Sequence, residues 1–167
     1  RLTLPSPRYA LISGWQSMDD AEVLKRLPNP AFTPFETVLV APECAAGLPP
    51  STSTGMTGSV ECVAYRPGRV VLNVNAPQAV MLRAADKYDR DWKAWVDGLP
   101  AAVRRVDYIV QGVFVPAGRH TIRMQYSPAR WPLYVQGVGL LIVLIAALTL
   151  IATALRRRPE MIHNAAG

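Results

Sequence analysis

Hydrophobic and polar positions follow two regimes along this chain. Between residues 8 and 126 they alternate in short runs separated by turn residues, whereas residues 133–155 are almost continuously apolar. A period of two puts successive side chains on opposite faces of a strand, so the first regime predicts short strands joined by tight turns. Residues 8–15 alternate loosely and read as a strand. Asp19 or Asp20 can cap a short helix running through Leu27, which Pro28 and Pro30 end. Residues 37–40 form a β-branched strand before Pro42, and residues 45–59, rich in Gly, Pro, Ser and Thr, read as a flexible loop.

From residue 59 the β pattern is continuous. Strands at 59–66 and 69–75 flank Pro67-Gly68, and another follows at 78–85. Strands at 92–96 and 101–106 flank Asp97-Gly98, a strong two-residue hairpin signal. The last two, 109–115 and 119–126, flank Pro116-Ala117-Gly118, where Gly118 can take the left-handed position. In the final strand His120, Ile122, Met124 and Tyr126 share one face, and Thr121, Arg123 and Gln125 the other. Strands this short and this regularly spaced predict a mainly β fold: an antiparallel β-sandwich of jelly-roll or carbohydrate-binding type, with a short N-terminal helix. The chain then divides into a strand-helix-strand part and loop (1–58), the sandwich (59–130), a transmembrane helix (131–155) and a tail (156–167).

The second regime carries no charge between Arg130 and Arg156. As a helix rising ~1.5 Å per residue, residues 133–155 span roughly 34 Å, enough to cross a hydrocarbon core. A buried core helix of this length would show a polar face, which is missing here. Trp131 and Tyr134 stand where interfacial aromatic anchors belong, and Arg156, Arg157 and Arg158 follow directly. The positive-inside rule places that triplet in the cytoplasm, residues 1–130 outside it, and a short disordered tail from Pro159 inside. The sequence opens on Arg1 without an apolar leader, so upstream transmembrane segments of the same protein are expected to carry the domain across.

Charge narrows the function classes. Net charge is +6, half of it the arginine triplet, and the remaining cations are scattered, which argues against a nucleic-acid partner. Cys44 and Cys62 lack metal or redox spacing; they either pair or remain two small apolar residues. No catalytic constellation is visible: His163 lies in the tail and His120 opens a strand, where a structural role is expected. Gly55-Met56-Thr57-Gly58-Ser59 lacks the lysine of a phosphate cradle. Asp86, Asp89 and Asp91 are interleaved with Lys87 and Arg90 and read as a solvated turn rather than a Ca²⁺ site. No cofactor or metal is expected. Trp92 and Trp95, three apart on a strand, face opposite sides. One belongs in the core; Trp95 is then either a stacking platform for a sugar or packed under a loop or partner domain.

Residues 86–126 contain Asp-Lys-Tyr-Asp-Arg-Asp-Trp-Lys-Ala-Trp-Val-Asp-Gly, then Arg105-Val106-Asp107-Tyr108-Ile109-Val110-Gln111-Gly112-Val113-Phe114-Val115-Pro116-Ala117-Gly118-Arg119-His120-Thr121-Ile122. This resembles the C-terminal region of the YfhO family of bacterial multi-pass membrane proteins. The likeness lies in an aromatic-rich turn ending in Trp, a Val-Asp-Gly hairpin, a Pro-Ala-Gly-x-His-Thr turn and a final transmembrane helix. It extends over about residues 8–155. The chain departs at Arg90-Asp91, where Pro-Gly is common, and at Gln111, where Arg is common. The resemblance implies the bacterial inner membrane, a parent related to lipid-linked-sugar glycosyltransferases, and catalytic acids in loops that this chain does not contain.

Three functional readings follow. The chain is a non-catalytic extracytoplasmic accessory domain that supports glycan transfer or positions a glycan or polymer acceptor, with Trp95, Asp107 and Tyr108 as candidate ligand contacts. Alternatively it is a purely structural module, or a membrane-anchored sandwich that docks a protein through a sheet edge.

Overall fold

The computed structural model describes residues 7–51, 55–129 and 131–163; in its last helix the side chains of 134–155 are described. It contains two units, residues 1–128 and 129–167.

The first unit is mainly β, built from two sheets. A six-stranded sheet has the order β1-β6-β10-β9-β3-β2, where β1 is Tyr9–Ile12, β2 Gly14–Ser17, β3 Thr37–Val40, β6 Val80–Lys87, β9 Val103–Val106 and β10 Val110–Val115. A five-stranded sheet has the order β4-β5-β11-β7-β8, from β4 Ser59–Arg66, β5 Arg69–Ala76, β7 Trp92–Val96, β8 Leu99–Ala101 and β11 Gly118–Tyr126. The main core lies between them: Leu72, Val74, Ile122 and Met124 of one sheet meet Leu11, Leu82, Val113 and Val115 of the other. The half-buried alternation read from β11 is observed, with Ile122 and Met124 buried and Thr121 and Arg123 exposed.

Turn chemistry sets most strand ends. Gly68 (φ 75) closes β4 onto β5, and Asp97 (φ 50) with Gly98 (φ 84) closes β7 onto β8 in the left-handed pair a two-residue hairpin needs. Helix α1, Asp20–Arg26, is capped by Asp19, whose carboxylate accepts the Glu22 N–H at 3.0 Å. Its Val23 packs with Met18 and Leu39 in a smaller core. A β-bulge at Val63 breaks the register of β4 against β5, and that side chain is exposed.

Several expectations need correction. The strand read over residues 8–15 is two strands separated at Ser13, whose hydroxyl and N–H both donate to the Gly55 carbonyl. The sandwich is not wholly antiparallel, because β2 runs parallel to β3. The boundary drawn at residue 58 divides a single sheet: β1 pairs with β6 and β3 with β9. The loop read over residues 45–59 is partly ordered cover, since Cys44, Ala45 and Leu48 pack over a second core of Ile12, Val38, Val40, Met81 and Val106. Both cysteines are free thiols.

The second unit holds α2, Trp131–His163. Its segment Tyr134–Leu155 has mean hydropathy 2.8 and is long and apolar enough to cross a membrane. Thr149 and Thr153 donate their hydroxyls to the carbonyls of Ala146 and Leu150, both at 2.8 Å, so these two hydroxyls are satisfied within the helix. The helix does not stop at the arginine triplet as expected. Its backbone passes Pro159 and reaches His163, because Arg, Glu and Met propagate a helix well. The side chains of Trp131, Arg156, Arg157 and Arg158 lie outside the described residues; Tyr134 is exposed.

Candidate functional site

Register arranges the outward side chains of the five-stranded sheet in transverse rows. Asn75 pairs with Ser59 and Arg119; one row on, Asn73 pairs with Glu61 and Thr121. The third row runs Ala64, Val71, Arg123, Trp95, Pro100, and the fourth Arg66, Arg69, Gln125, Lys93.

Two hollows on this face adjoin each other. One, of about 330 Å³, is lined by polar groups that include Glu61, Asn73, Asn75, Asp97 and Arg119. The other, of about 430 Å³, is lined by Trp95, Arg123, Val71 and Gly98, and it shares Asp97 and Thr121 with the first. The Arg123 guanidinium lies 4.7 Å from the Trp95 ring centroid and also donates to Gln125 Oε1 at 3.0 Å. Trp92 points the other way, packs against the main core and meets Tyr126 at 5.7 Å. The opposite-face reading of the two tryptophans is thus observed, and Trp95 is the outward one.

Asp97 organises the rim between the hollows. Its Oδ1 accepts the Thr121 N–H at 2.8 Å, its Oδ2 lies 2.6 Å from His120 Nδ1, and its own N–H donates to the Thr121 carbonyl at 2.9 Å. His120 is therefore a tie between two loops, and its Nε2 lies 3.3 Å from the Ala117 carbonyl. The contact with Asp97 raises the His120 pKa above its ordinary 6.5, and the hydrogen bond from His120 holds Asp97 below its ordinary 3.8. A base raised on folding stabilises the fold fully below its unfolded value and loses that contribution as pH rises through its folded value. A depressed acid adds stability above its unfolded value and loses it as pH falls through the folded one. The tie is consequently strongest between about pH 4 and pH 6.5. We expect the melting-temperature gap between the protein and its His120→Asn variant to be widest at pH 6 and to narrow by pH 9; a gap that stays constant would contradict the pairing.

The other two candidate contacts are elsewhere. Asp107 and Tyr108 form the β9–β10 turn of the six-stranded sheet, so the structure does not bring them together with Trp95. Asp107 is buried: Arg83 Nε donates to its Oδ2 at 2.7 Å and the Leu39 N–H to its Oδ1 at 3.0 Å. Its own N–H donates to the Leu39 carbonyl at 2.7 Å. Tyr108 packs against Met18, Val23 and Leu39. Both have left-handed backbone, φ 46 and φ 74, which persists where the surroundings over-determine it. They shape the fold and face no hollow on the five-stranded sheet.

Asp86 pairs with Arg8 at 2.7 Å, and Asp89 accepts the Asp91 N–H at 2.8 Å, so the acidic turn is organised by its own partners. Sequence reading missed Glu61, Asn73, Asn75 and Thr121 as a group. Their signal is the exposed polar position recurring every second residue on β4, β5 and β11, and it becomes a site only once the strand order is known. No family model, curated protein or solved structure matches this chain. The fold and site define a β-sandwich carrying a polar, tryptophan-bearing sheet face, joined in sequence to a helix able to cross a membrane.

Proposed function

We propose that this chain is a non-catalytic accessory domain of a YfhO-like multi-pass protein, holding a glycan or polymer acceptor against the outer face of its five-stranded sheet. The observation that carries the reading is the Trp95 hollow, continuous through Asp97 and Thr121 with the amide- and carboxylate-lined hollow beside it. An indole with hydrogen-bonding groups alongside suits a sugar, whose ring offers an apolar face and whose hydroxyls need both donors and acceptors. In this reading α2 spans the bacterial inner membrane as the last of several helices, the arginine triplet lies in the cytoplasm and the sandwich outside it.

The test is calorimetric titration of the full chain in detergent micelles with a panel of neutral and acidic oligosaccharides. Saturable binding is expected, with Trp95→Ala weakening it about tenfold or more, the usual scale for losing an aromatic anchor. Absence of binding across the panel, with no difference for Trp95→Ala, would leave a structural or protein-docking role. The docking alternative has one observation in its favour: β4 is an eight-residue edge strand.

A further inference from the structure

The fourth row of the five-stranded sheet carries Arg66, Arg69 and Lys93, and Arg123 stands one row above. Arg66 and Arg69 are directly opposite each other across the β4–β5 turn. Like charges in that position destabilise a strand pair, and an external anion would offset the repulsion. Among the described residues none of these four cations belongs to an ion pair. Rows three and four contain no carboxylate on this face; Glu61 lies in row two, and Asp97 lines the hollows with Thr121. The nearby acids Asp89 and Asp91 belong to the 88–91 loop, where both raise the Tyr126 pKa. Tyr126 lies on the opposite, inward-alternating side of β11.

The end of the sheet that holds these cations is also its exit. Gln125 sits in the cationic row, and the Tyr126 N–H donates to the Gly68 carbonyl inside the Arg66–Arg69 turn at 2.8 Å. Only residues 127–130 then separate β11 from α2. A hollow of about 290 Å³ lined by Ala64, Arg66, Arg69 and Val71 opens between the two arginines, and guanidinium forks match phosphate oxygens bidentately.

We propose that this row is a docking surface for an anionic lipid bilayer, with Arg66, Arg69, Lys93 and Arg123 contacting headgroup phosphates. The inference rests on the reading of α2 as a membrane span, but it does not require the sheet face to bind a glycan.

The full chain, isotope-labelled, would be placed in nanodiscs of phosphatidylcholine alone or mixed with phosphatidylglycerol, each with a trace of gadolinium-headgroup lipid. Paramagnetic relaxation is then read at the amides of Arg66, Arg69, Lys93 and Arg123. Stronger relaxation is expected in the anionic discs, with that difference lost at high salt and in R66Q/R69Q/K93Q/R123Q and kept in R66K/R69K/R123K. Equal relaxation in the two discs would overturn the proposal, and so would a difference that survives high salt. The salt arm uses the unaltered chain, so it decides the matter even if the quadruple variant fails to fold. Shifts at these residues on adding inorganic phosphate, without any difference between discs, would replace the membrane surface with a free-anion site. If an acyl-chain spin label leaves the α2 resonances sharp, the membrane reading itself fails, and the docking surface with it.

Discussion

Asp107→Asn is expected to destabilise the sandwich by about 3–5 kcal/mol, the usual cost of removing one partner from a buried ion pair. The side chains of Asp107 and Arg83 are 3% and 13% exposed, and their closest approach is 2.7 Å. Asparagine keeps the size of the side chain, tolerates left-handed backbone and can still accept the Leu39 N–H, so the loss isolates the charge on Arg83. Arg83 already has one buried nitrogen without a partner, Nη1, which leaves it nowhere else to turn. Chemical denaturation of the full chain in detergent micelles, followed by tryptophan fluorescence, measures the loss. The double variant R83M/D107N is expected to regain most of it, since an apolar replacement removes the stranded charge. If D107N alone costs under 1 kcal/mol, the clasp between β3 and the β9–β10 turn is not structural.

Gly58→Ala comes second, at roughly 2–4 kcal/mol, the sum of a strained backbone and an overpacked contact. Gly58 has φ 90, and a Cβ there would fall 2.2 Å from the Asn75 carbonyl oxygen. The obstacle is backbone inside the β4–β5 ladder, where Asn75 pairs with Ser59, so no side-chain rotation relieves it. The strand must shift, and with it Glu61 opposite Asn73 in the polar hollow. We therefore expect Gly58→Ala to lower the denaturation midpoint, whereas Gly47→Ala, with open space around its Cβ, costs less than half as much stability. Equal losses for the two variants would show that only their shared left-handed backbone matters.

What the sequence made legible was the local part of the fold. Turn pairs such as Pro67-Gly68 and Asp97-Gly98 act over two residues, and the strands beside them, 59–66 and 92–96, have the ends that were read. Asp19 caps its helix through a contact three residues away, equally local. What failed was tertiary. Nothing near Ser13 announces that its partner is Gly55, 42 residues on, and the strand break there follows from that bond. The parallel pairing of β2 with β3 depends on α1 and the segment after it returning the chain in the same direction.

The site divides along the same line. Trp95 was legible, because spacing alone puts it opposite Trp92. Its polar neighbours were not, because Asn73, Thr121 and Asp97 come from three strands whose order no local pattern states. Asp107 and Tyr108 are placed by tertiary contacts that no local pattern states: their turn is folded over the Leu39 backbone and its carboxylate is taken up by Arg83.

The bulge at Val63 has a consequence for how these molecules behave together. The exposed edges of the five-stranded sheet, β4 and β8, are where two copies of this chain would meet strand to strand. A straight, unpaired strand would invite neighbours to extend the sheet from molecule to molecule. The kink at Val63 interrupts the donor–acceptor rhythm of β4, and Pro100 withholds an N–H from β8. Many copies of this chain can then crowd together without the sandwiches zipping into a continuous sheet.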